Sequence, residues 1–200
     1  MEDQVGRLRS HRQSFYEGAV VVGVLVAAMW LVEIVNALDN QRLDSDGIIA
    51  RHLSGLPGIL SAPFLHASFA HLLANTIPLI ILGLVIAFDG PVRLIALTAV
   101  AAVVSGLGAW ALSSTGTDTI GASGVVFGYA TFLLARGFFA RSFLQIAIGL
   151  IVAVLFGGAL LLSIAPQSGV SWQAHVFGAV GGLLTAWLVS RRTKTAPENK

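Results

Sequence analysis

The chain has 200 residues, of which 56% are hydrophobic and 11% are charged. A soluble globular domain carries about 25% charged residues, so this composition excludes an ordinary soluble protein and indicates a membrane protein. The mean hydropathy of +0.82 agrees with that conclusion. Because there is no cysteine, disulfides, thiol catalysis and cysteine-ligated metal sites are also excluded.

Six apolar stretches are each about long enough to cross a bilayer, which takes about 20 residues. Polar or charged breaks separate them, and the break at 39–68 is the longest. We therefore predict an all-α polytopic membrane protein with transmembrane helices at residues 17–38, 69–88, 92–113, 121–138, 143–164 and 172–190. These helices form one membrane domain, 17–190, between tails at 1–16 and 191–200.

The first apolar stretch follows a cluster of arginines and could be mistaken for a signal peptide. Its apolar run is longer than the 7 to 15 residues of a signal-peptide core, and it lacks a clear small-x-small exit. We therefore expect a retained anchor.

The distribution of lysine and arginine predicts the orientation of the bundle. With a cytoplasmic N-terminus, ten of the 12 basic residues fall on the inner side and only Arg42 and Arg51 fall outside. The positive-inside rule favours this arrangement. We expect both tails to be cytoplasmic and the net charge of +2 to reflect topology, so no nucleic-acid partner is expected. The inner residues are Arg7, Arg9, Arg12, Arg93, Arg136, Arg141, Arg191, Arg192, Lys194 and Lys200.

Polar residues lie where the second, fourth and sixth predicted helices begin, all on the outer side. His71 and Asn75 are spaced i and i+4 at the start of the second helix, so they share one face. Ser123 lies in the first turn of the fourth helix and His175 in the first turn of the sixth. Polar and ionisable residues inside membrane segments are functional candidates by default.

A serine hydroxyl becomes a useful nucleophile when a neighbouring imidazole accepts its proton. Ser123 and His175 can act in this way if the fourth and sixth helices touch. Gly124, together with the Gly178 and Gly182 stripe, provides the small residues that let helices pack closely.

The turn that carries the serine is also suited to stabilising an oxyanion. Gly121 and Gly124 leave the backbone approachable at a helix N-terminus, where free amides can bind a developing negative charge. His71 and Asn75 could add side-chain donors to the same hole.

The motifs Gly121-Ala122-Ser123-Gly124, Ala174-His175-x-x-Gly178-x-x-x-Gly182 and His71-x-x-x-Asn75 resemble the signature of the rhomboid intramembrane serine proteases. The resemblance covers almost the entire chain, with the motifs in family order. It implies a dyad with Ser123 as nucleophile and His175 as general base and acid. It also implies an oxyanion hole formed by the Ser123 amide with His71 and Asn75.

The same resemblance implies how a substrate reaches the site. The loop after the first helix would lie half-sunk in the outer leaflet, and the last outer loop, Ala165 to Trp172, would form a cap. The fifth helix would be a lateral gate, through which the transmembrane segment of another protein enters from the lipid bilayer. No cofactor and no metal are implied.

Two positions depart from the family pattern. The family often has Trp-Arg in the long outer loop, where this chain reads Gly55-Leu56-Pro57-Gly58-Ile59. Many relatives carry a tyrosine four residues after the nucleophile, which packs on the catalytic histidine, and this chain has Phe127. Ring packing can survive that change, whereas the hydroxyl is lost.

Other interpretations stay open. The chain could be a catalytically inactive relative that binds transmembrane helices, although such a binder does not need both Ser123 and His175. A small transporter is disfavoured because the polar groups cluster at one membrane face. A metal site from His66, His71 and His175 would lack a carboxylate or cysteine ligand.

We expect structural roles for three further polar residues. We expect His66 to hold the outer loop, and Glu33 to reach the interface or to pair with Arg42 or Arg51. Asp118 is treated as a loop residue, since the family works without a third triad member.

Overall fold

In the computed structural model, the backbone is described for residues 2–195 and the side chains for residues 12–191, in both cases without residue 168. The helices in this part of the chain are α1 (Glu2–Leu38), α2 (Gly58–Ser61), α3 (Phe69–Ala87), α4 (Pro91–Leu112), α5 (Ser123–Ala140), α6 (Phe143–Ile164) and α7 (Trp172–Thr195). All except the short α2 are long and apolar enough to cross a membrane. The prediction of an all-α polytopic membrane protein is confirmed.

The predicted spans correspond to α1 and α3 to α7, and five of them begin within two residues of the observed helices. The exception is α1, which begins at Glu2, inside the segment predicted as a tail; its apolar span covers Arg12–Leu38. Several residues used for the orientation argument lie outside the described side chains: Arg7, Arg9, Arg192, Lys194 and Lys200.

Helix α5 forms the centre of the bundle. It packs against α3, α4, α6 and α7, and 61% of its span is buried, compared with 11% of the span of α6. Small residues along α5 let its neighbours approach closely. The first residue of α5 therefore lies among several helix ends, while α6 lies at the edge of the bundle.

The connection between α1 and α3, residues 39–68, is called here the long loop. Its first turn is organised by Asn36, whose side chain is fully buried. The Asn36 amide donates to Gln41 Oε1 at 2.6 Å and to Asp44 Oδ1 at 2.8 Å, and its carbonyl accepts the Leu43 N–H at 3.0 Å. Single 3-10 turns follow at Arg42–Asp46, Leu53–Gly55 and Ala62–Phe64. These turns fold the long loop back over the bundle.

A two-stranded antiparallel ladder, which the sequence analysis did not predict, ties the long loop to the chain entering α5. Strand β1 (Ile48–Ile49) pairs with β2 (Asp118–Thr119), and Ala50 N–H donates to Thr117 O at 2.9 Å beside them. Strands of two residues are too short to show an alternating pattern. The ladder joins the long loop to the segment that leads to Ser123.

The expectation for Glu33 was wrong. Its side chain is fully buried, and neither carboxylate oxygen has a partner in hydrogen-bonding geometry among the described residues. Arg42 instead pairs with Asp39 at 3.5 Å, one turn away along the chain. Glu33 lies one turn before Asn36 on α1, and the groups that act on its carboxyl are Asn36, Gln41 and Asp44 at the first turn of the long loop.

An ion-pair cluster joins helices at the opposite end of the bundle from the long loop. Arg136 on α5 pairs with Asp89, which lies between α3 and α4. Arg93 on α4 adds a contact to the same carboxylate at 3.6 Å. Arg136 is mostly buried, so its ion pair joins α5 to the turn between α3 and α4.

Candidate active site

The structure brings Ser123 and His175 into direct contact. Ser123 is the first residue of α5, and His175 lies in the first turn of α7, which begins at Trp172. The distance from Ser123 Oγ to His175 Nε2 is 2.8 Å, which is hydrogen-bonding distance. The imidazole is largely buried, with 5% of its residue surface exposed. A hydroxyl and an imidazole thus face each other at the long-loop end of the bundle.

Two further contacts hold the imidazole. The Nδ1 atom lies 2.7 Å from the Ser163 carbonyl oxygen on α6, and the Phe127 ring stacks on the imidazole at 4.4 Å between centroids. A carbonyl oxygen only accepts, so Nδ1 carries the hydrogen and donates it. In the neutral imidazole, Nε2 is then the acceptor that faces the Ser123 hydroxyl. The expected ring contact of Phe127 is present.

Glycines explain why α5 and α7 approach so closely. A Cβ added at Gly178 would collide with the backbone of Gly124, and one added at Gly182 would collide with the backbone of Gly128. Across the same interface, Thr131 Oγ1 donates to Ala179 O at 2.9 Å. The small-residue stripe predicted from the sequence therefore does pack α7 on α5, and this sets the depth of His175 relative to Ser123.

Helix α4 adds a contact that sequence reasoning missed. Ser105 Oγ donates to the Ala174 carbonyl oxygen at 2.8 Å, next to His175 in the chain. The Ser105 side chain also fills the space that a side chain at Gly124 would occupy. One serine thus holds the start of α7 against the start of α5.

The backbone before Ser123 is held by the end of the long loop. Gly121 has a φ of +116°, a conformation that favours glycine. A Cβ added at Gly121 would collide with the His71 ring. The Gly121 N–H donates to Ala62 O at 2.8 Å. As the first residue of α5, Ser123 has a backbone N–H that the helix does not use.

His66 supports the same turn. Its side chain is fully buried, and its Nε2 accepts the Ala122 N–H at 3.4 Å. Burial, aided by the neighbouring His71, lowers the pKa of His66 from 6.5 to about 4. His66 is therefore neutral near pH 7, which leaves Nε2 free to accept. The structural role expected for this residue agrees with these contacts.

His71 and Asn75 lie on one face of α3 beside this turn. Ser68 caps α3 by accepting the His71 N–H at 3.2 Å, and this places the His71 ring in the first turn. Asn75 Nδ2 donates to the His71 carbonyl oxygen at 3.0 Å, which uses one of its two amide hydrogens. Both residues line a cavity of about 350 Å³ together with Ser123 and His175.

Comparison with known proteins agrees with these motifs. A sequence model of the Rhomboid domain matches residues 53–192, which is more than half of the chain. The chain belongs to the rhomboid family. The matched region covers α2 to α7 with every predicted site residue, so the family resemblance is confirmed.

Relatives of this rhomboid protein occur in mycobacteria. It is 42% identical over 197 residues to the uncharacterized protein Rv1337 of Mycobacterium tuberculosis and, equally, to the uncharacterized protein Mb1372 of Mycobacterium bovis. Those alignments cover 94% of this chain and 80% of each relative. The uncharacterized protein ML1171 of Mycobacterium leprae is 40% identical over 200 residues, with 96% of this chain and 77% of the relative covered.

The cavity at the dyad of this rhomboid protein has a polar side and an apolar side. Towards the loops it adjoins a second cavity of about 440 Å³, which also contacts His71 and is lined by Asp118 and Gln173. Between α3 and α6 its wall is apolar, with Pro78 on one helix and Phe156 and Leu160 on the other. Ser123 thus lies in a cavity that is polar towards the loops and apolar between α3 and α6.

Asp118 does not complete a triad. It lies in β2, and the imidazole atom that a third triad member would hold, Nδ1 of His175, contacts the Ser163 carbonyl oxygen. Burial raises the pKa of the Asp118 carboxyl above its usual value. The sequence predicted a loop residue, whereas Asp118 lies in the ladder between β1 and β2.

Proposed function

We propose that this rhomboid-family protein is an intramembrane serine endopeptidase. The observation that carries the proposal is the 2.8 Å contact between Ser123 Oγ and His175 Nε2. In the proposed reaction, Ser123 Oγ attacks the carbonyl carbon of a peptide bond while its proton passes to Nε2. The imidazolium then gives this proton to the leaving amine, and an acyl-enzyme remains. Water, deprotonated by the same nitrogen, releases the acyl group.

The oxyanion of the tetrahedral intermediate needs donors that are already in place. The Ser123 backbone N–H at the start of α5 supplies one, and the positive end of the helix dipole favours negative charge there. The His71 ring and the remaining amide hydrogen of Asn75 are the proposed side-chain donors, because both line the same cavity as Ser123.

The proposed substrate is the transmembrane segment of another membrane protein, entering laterally from the bilayer between α3 and α6. The apolar wall formed by Pro78, Phe156 and Leu160 supports this route. A helix has to unwind to expose a peptide bond, so we expect small residues at the cleaved bond and helix-breaking residues nearby.

The proposed orientation places both termini in the cytoplasm and the cavity open to the extracytoplasmic side, with the long loop half-sunk in the outer leaflet. The charge distribution of the sequence supports it. A polar opening at the loop end also provides the water that hydrolysis consumes.

The test is cleavage of a single-span protein substrate by the purified protein in proteoliposomes, with Ser123→Ala and His175→Ala alongside. Ser190→Ala is the matched serine control, because Ser190 lies near the other end of α7. Cleavage by wild type and by Ser190→Ala, but by neither dyad variant, is the expected result. Equal cleavage by all four would reveal a contaminating protease and remove the support for the proposal.

If no variant cleaves the substrate, a fluorophosphonate shows whether the serine is active, because this reagent labels an activated serine without a protein substrate. Labelling of wild type at Ser123 that is lost in His175→Ala would show an active nucleophile. The absence of cleavage would then mean that the substrate tested was not a suitable one. Absence of labelling would overturn the protease proposal in favour of an inactive relative that binds transmembrane helices.

A further inference from the structure

The first half of helix α6 packs closely against α5. Gly149 packs against the backbone of Leu133 and Leu134 on α5, and the residues following Ser142 pack against Gly137. Beyond this contact one face of the helix is exposed, with 83% of Val154 and 72% of Leu161 exposed, while Phe156 and Leu160 on its other face pack against the core.

The last turn of α6 nevertheless contacts the imidazole of the dyad. The final four carbonyl groups of a helix have no partner within the helix, and they carry the negative end of the helix dipole. Gln167 Nε2 satisfies Leu162 O at 2.6 Å, and His175 Nδ1 satisfies Ser163 O at 2.7 Å. The Ser163 hydroxyl is directed elsewhere, since it donates to Ala159 O at 2.8 Å.

We propose that the Ser163 carbonyl is a positioning group for His175. This inference rests on the proposed protease function. The carbonyl holds Nδ1–H, directs Nε2 at Ser123, and stabilises the imidazolium that forms when the serine gives up its proton. Without this acceptor, the ring keeps its stacking on Phe127 and its contact with Ser123, but no partner fixes the hydrogen on Nδ1.

Two substitutions at the next residue test the carbonyl. Ile164→Pro forces residue 163 out of the helical conformation, because the residue before a proline disfavours it, and so turns the carbonyl away. Ile164→Ala is the matched control, since it removes the same side chain but keeps the helix.

The readout is the rate at which a small water-soluble fluorophosphonate labels Ser123, because this reagent needs the dyad but does not need the lateral route. We expect a wild-type rate for Ile164→Ala, and a rate at least about tenfold lower for Ile164→Pro, as for loss of a hydrogen bond to a charged group. A wild-type rate for Ile164→Pro, or an equal loss in Ile164→Ala, would overturn the inference.

A measurement on the unmodified protein covers the case in which Ile164→Pro does not fold. In ¹⁵N-histidine-labelled protein, the neutral His175 ring, assigned by its absence in His175→Ala, should carry its hydrogen on Nδ1. A hydrogen on Nε2 would overturn the inference. Failure of the wild type to react with the fluorophosphonate would instead count against the protease function, while the tautomer still tests the carbonyl contact.

Discussion

The rings of Phe127 and His175 lie nearly parallel, with an interplanar angle of 9° and centroids 4.4 Å apart. Phe127 follows Ser123 by four residues on α5, so one helical face carries both the hydroxyl and the ring on which its partner rests. The orientation of the imidazole is therefore set by stacking on α5, its depth in the bundle by its position on α7, and its hydrogen bond at Nδ1 by a carbonyl of α6.

Replacing this ring should slow the reaction without abolishing it. An aromatic pair contributes about 0.5–1.5 kcal/mol, so we expect Phe127→Leu to reduce the rate of substrate cleavage by roughly twofold to tenfold. Phe127→Tyr keeps the ring and should stay close to wild type. Cleavage rates in proteoliposomes, with thermal unfolding as a check on folding, test this. Equal rates for the leucine and wild-type proteins would rule out a role for stacking.

The contact of Gly178 with Gly124 predicts a large effect from one methyl group. Gly178→Ala places Cβ against the backbone of Gly124, so we expect the free energy of unfolding to fall by about 1–3 kcal/mol. Cleavage should be lost as well, because α7 carries His175. Gly23→Ala on α1 is the control, because the Cβ there meets open space. Unfolding in mixed micelles and cleavage rates are measured together. Gly178→Ala with wild-type stability would contradict the packing explanation.

The ion pair between Arg136 and Asp89 should stabilise the opposite end of the bundle. Removing Arg136 leaves the Asp89 carboxylate partly buried without its nearest partner, and such a loss costs about 3 kcal/mol. We expect Arg136→Ala to be far more destabilising than Arg93→Ala, because Arg93 is more exposed and its contact is longer. Equal effects of the two substitutions on the unfolding free energy would be inconsistent with this ranking.

His66 predicts a pH dependence of stability. Its pKa is about 4 in the folded protein and 6.5 in the unfolded chain, so the unfolded chain binds the proton more tightly. Stability should therefore be unaffected by this group above pH 6.5 and fall by at most about 3 kcal/mol as the pH drops from 6.5 to 4.

The matched variants for this prediction are His66→Gln and His52→Gln. Glutamine at 66 cannot take up a proton but can still accept the Ala122 N–H, so the decrease in melting temperature between pH 6.5 and 4 should become shallower. His52 is exposed on the long loop, and its replacement should leave the curve as in wild type. A decrease of unchanged steepness in His66→Gln would assign the acid sensitivity to other groups.

Much of the fold could be predicted from the sequence because a bilayer imposes a length on every apolar span. The bounds of α3 to α7 follow from runs such as 143–164, and the stripe of Gly178 and Gly182 predicted which face of α7 would meet α5. Within the described residues, the sequence alone therefore determined the number of long apolar helices, the position of Ser123 and His175 at helix starts, and the shared face of His71 and Asn75.

Only the tertiary structure decided which groups hold these residues in place. The acceptor for His175 is a backbone carbonyl, which every residue possesses, so no residue type signals it. The contacts of Ser105 with Ala174 and of His66 with Ala122 join positions more than 50 residues apart, and Glu33 became buried because the long loop folds over it. Hydropathy along a chain records which segments avoid water, whereas partners across helices depend on how those segments rotate and pack against one another.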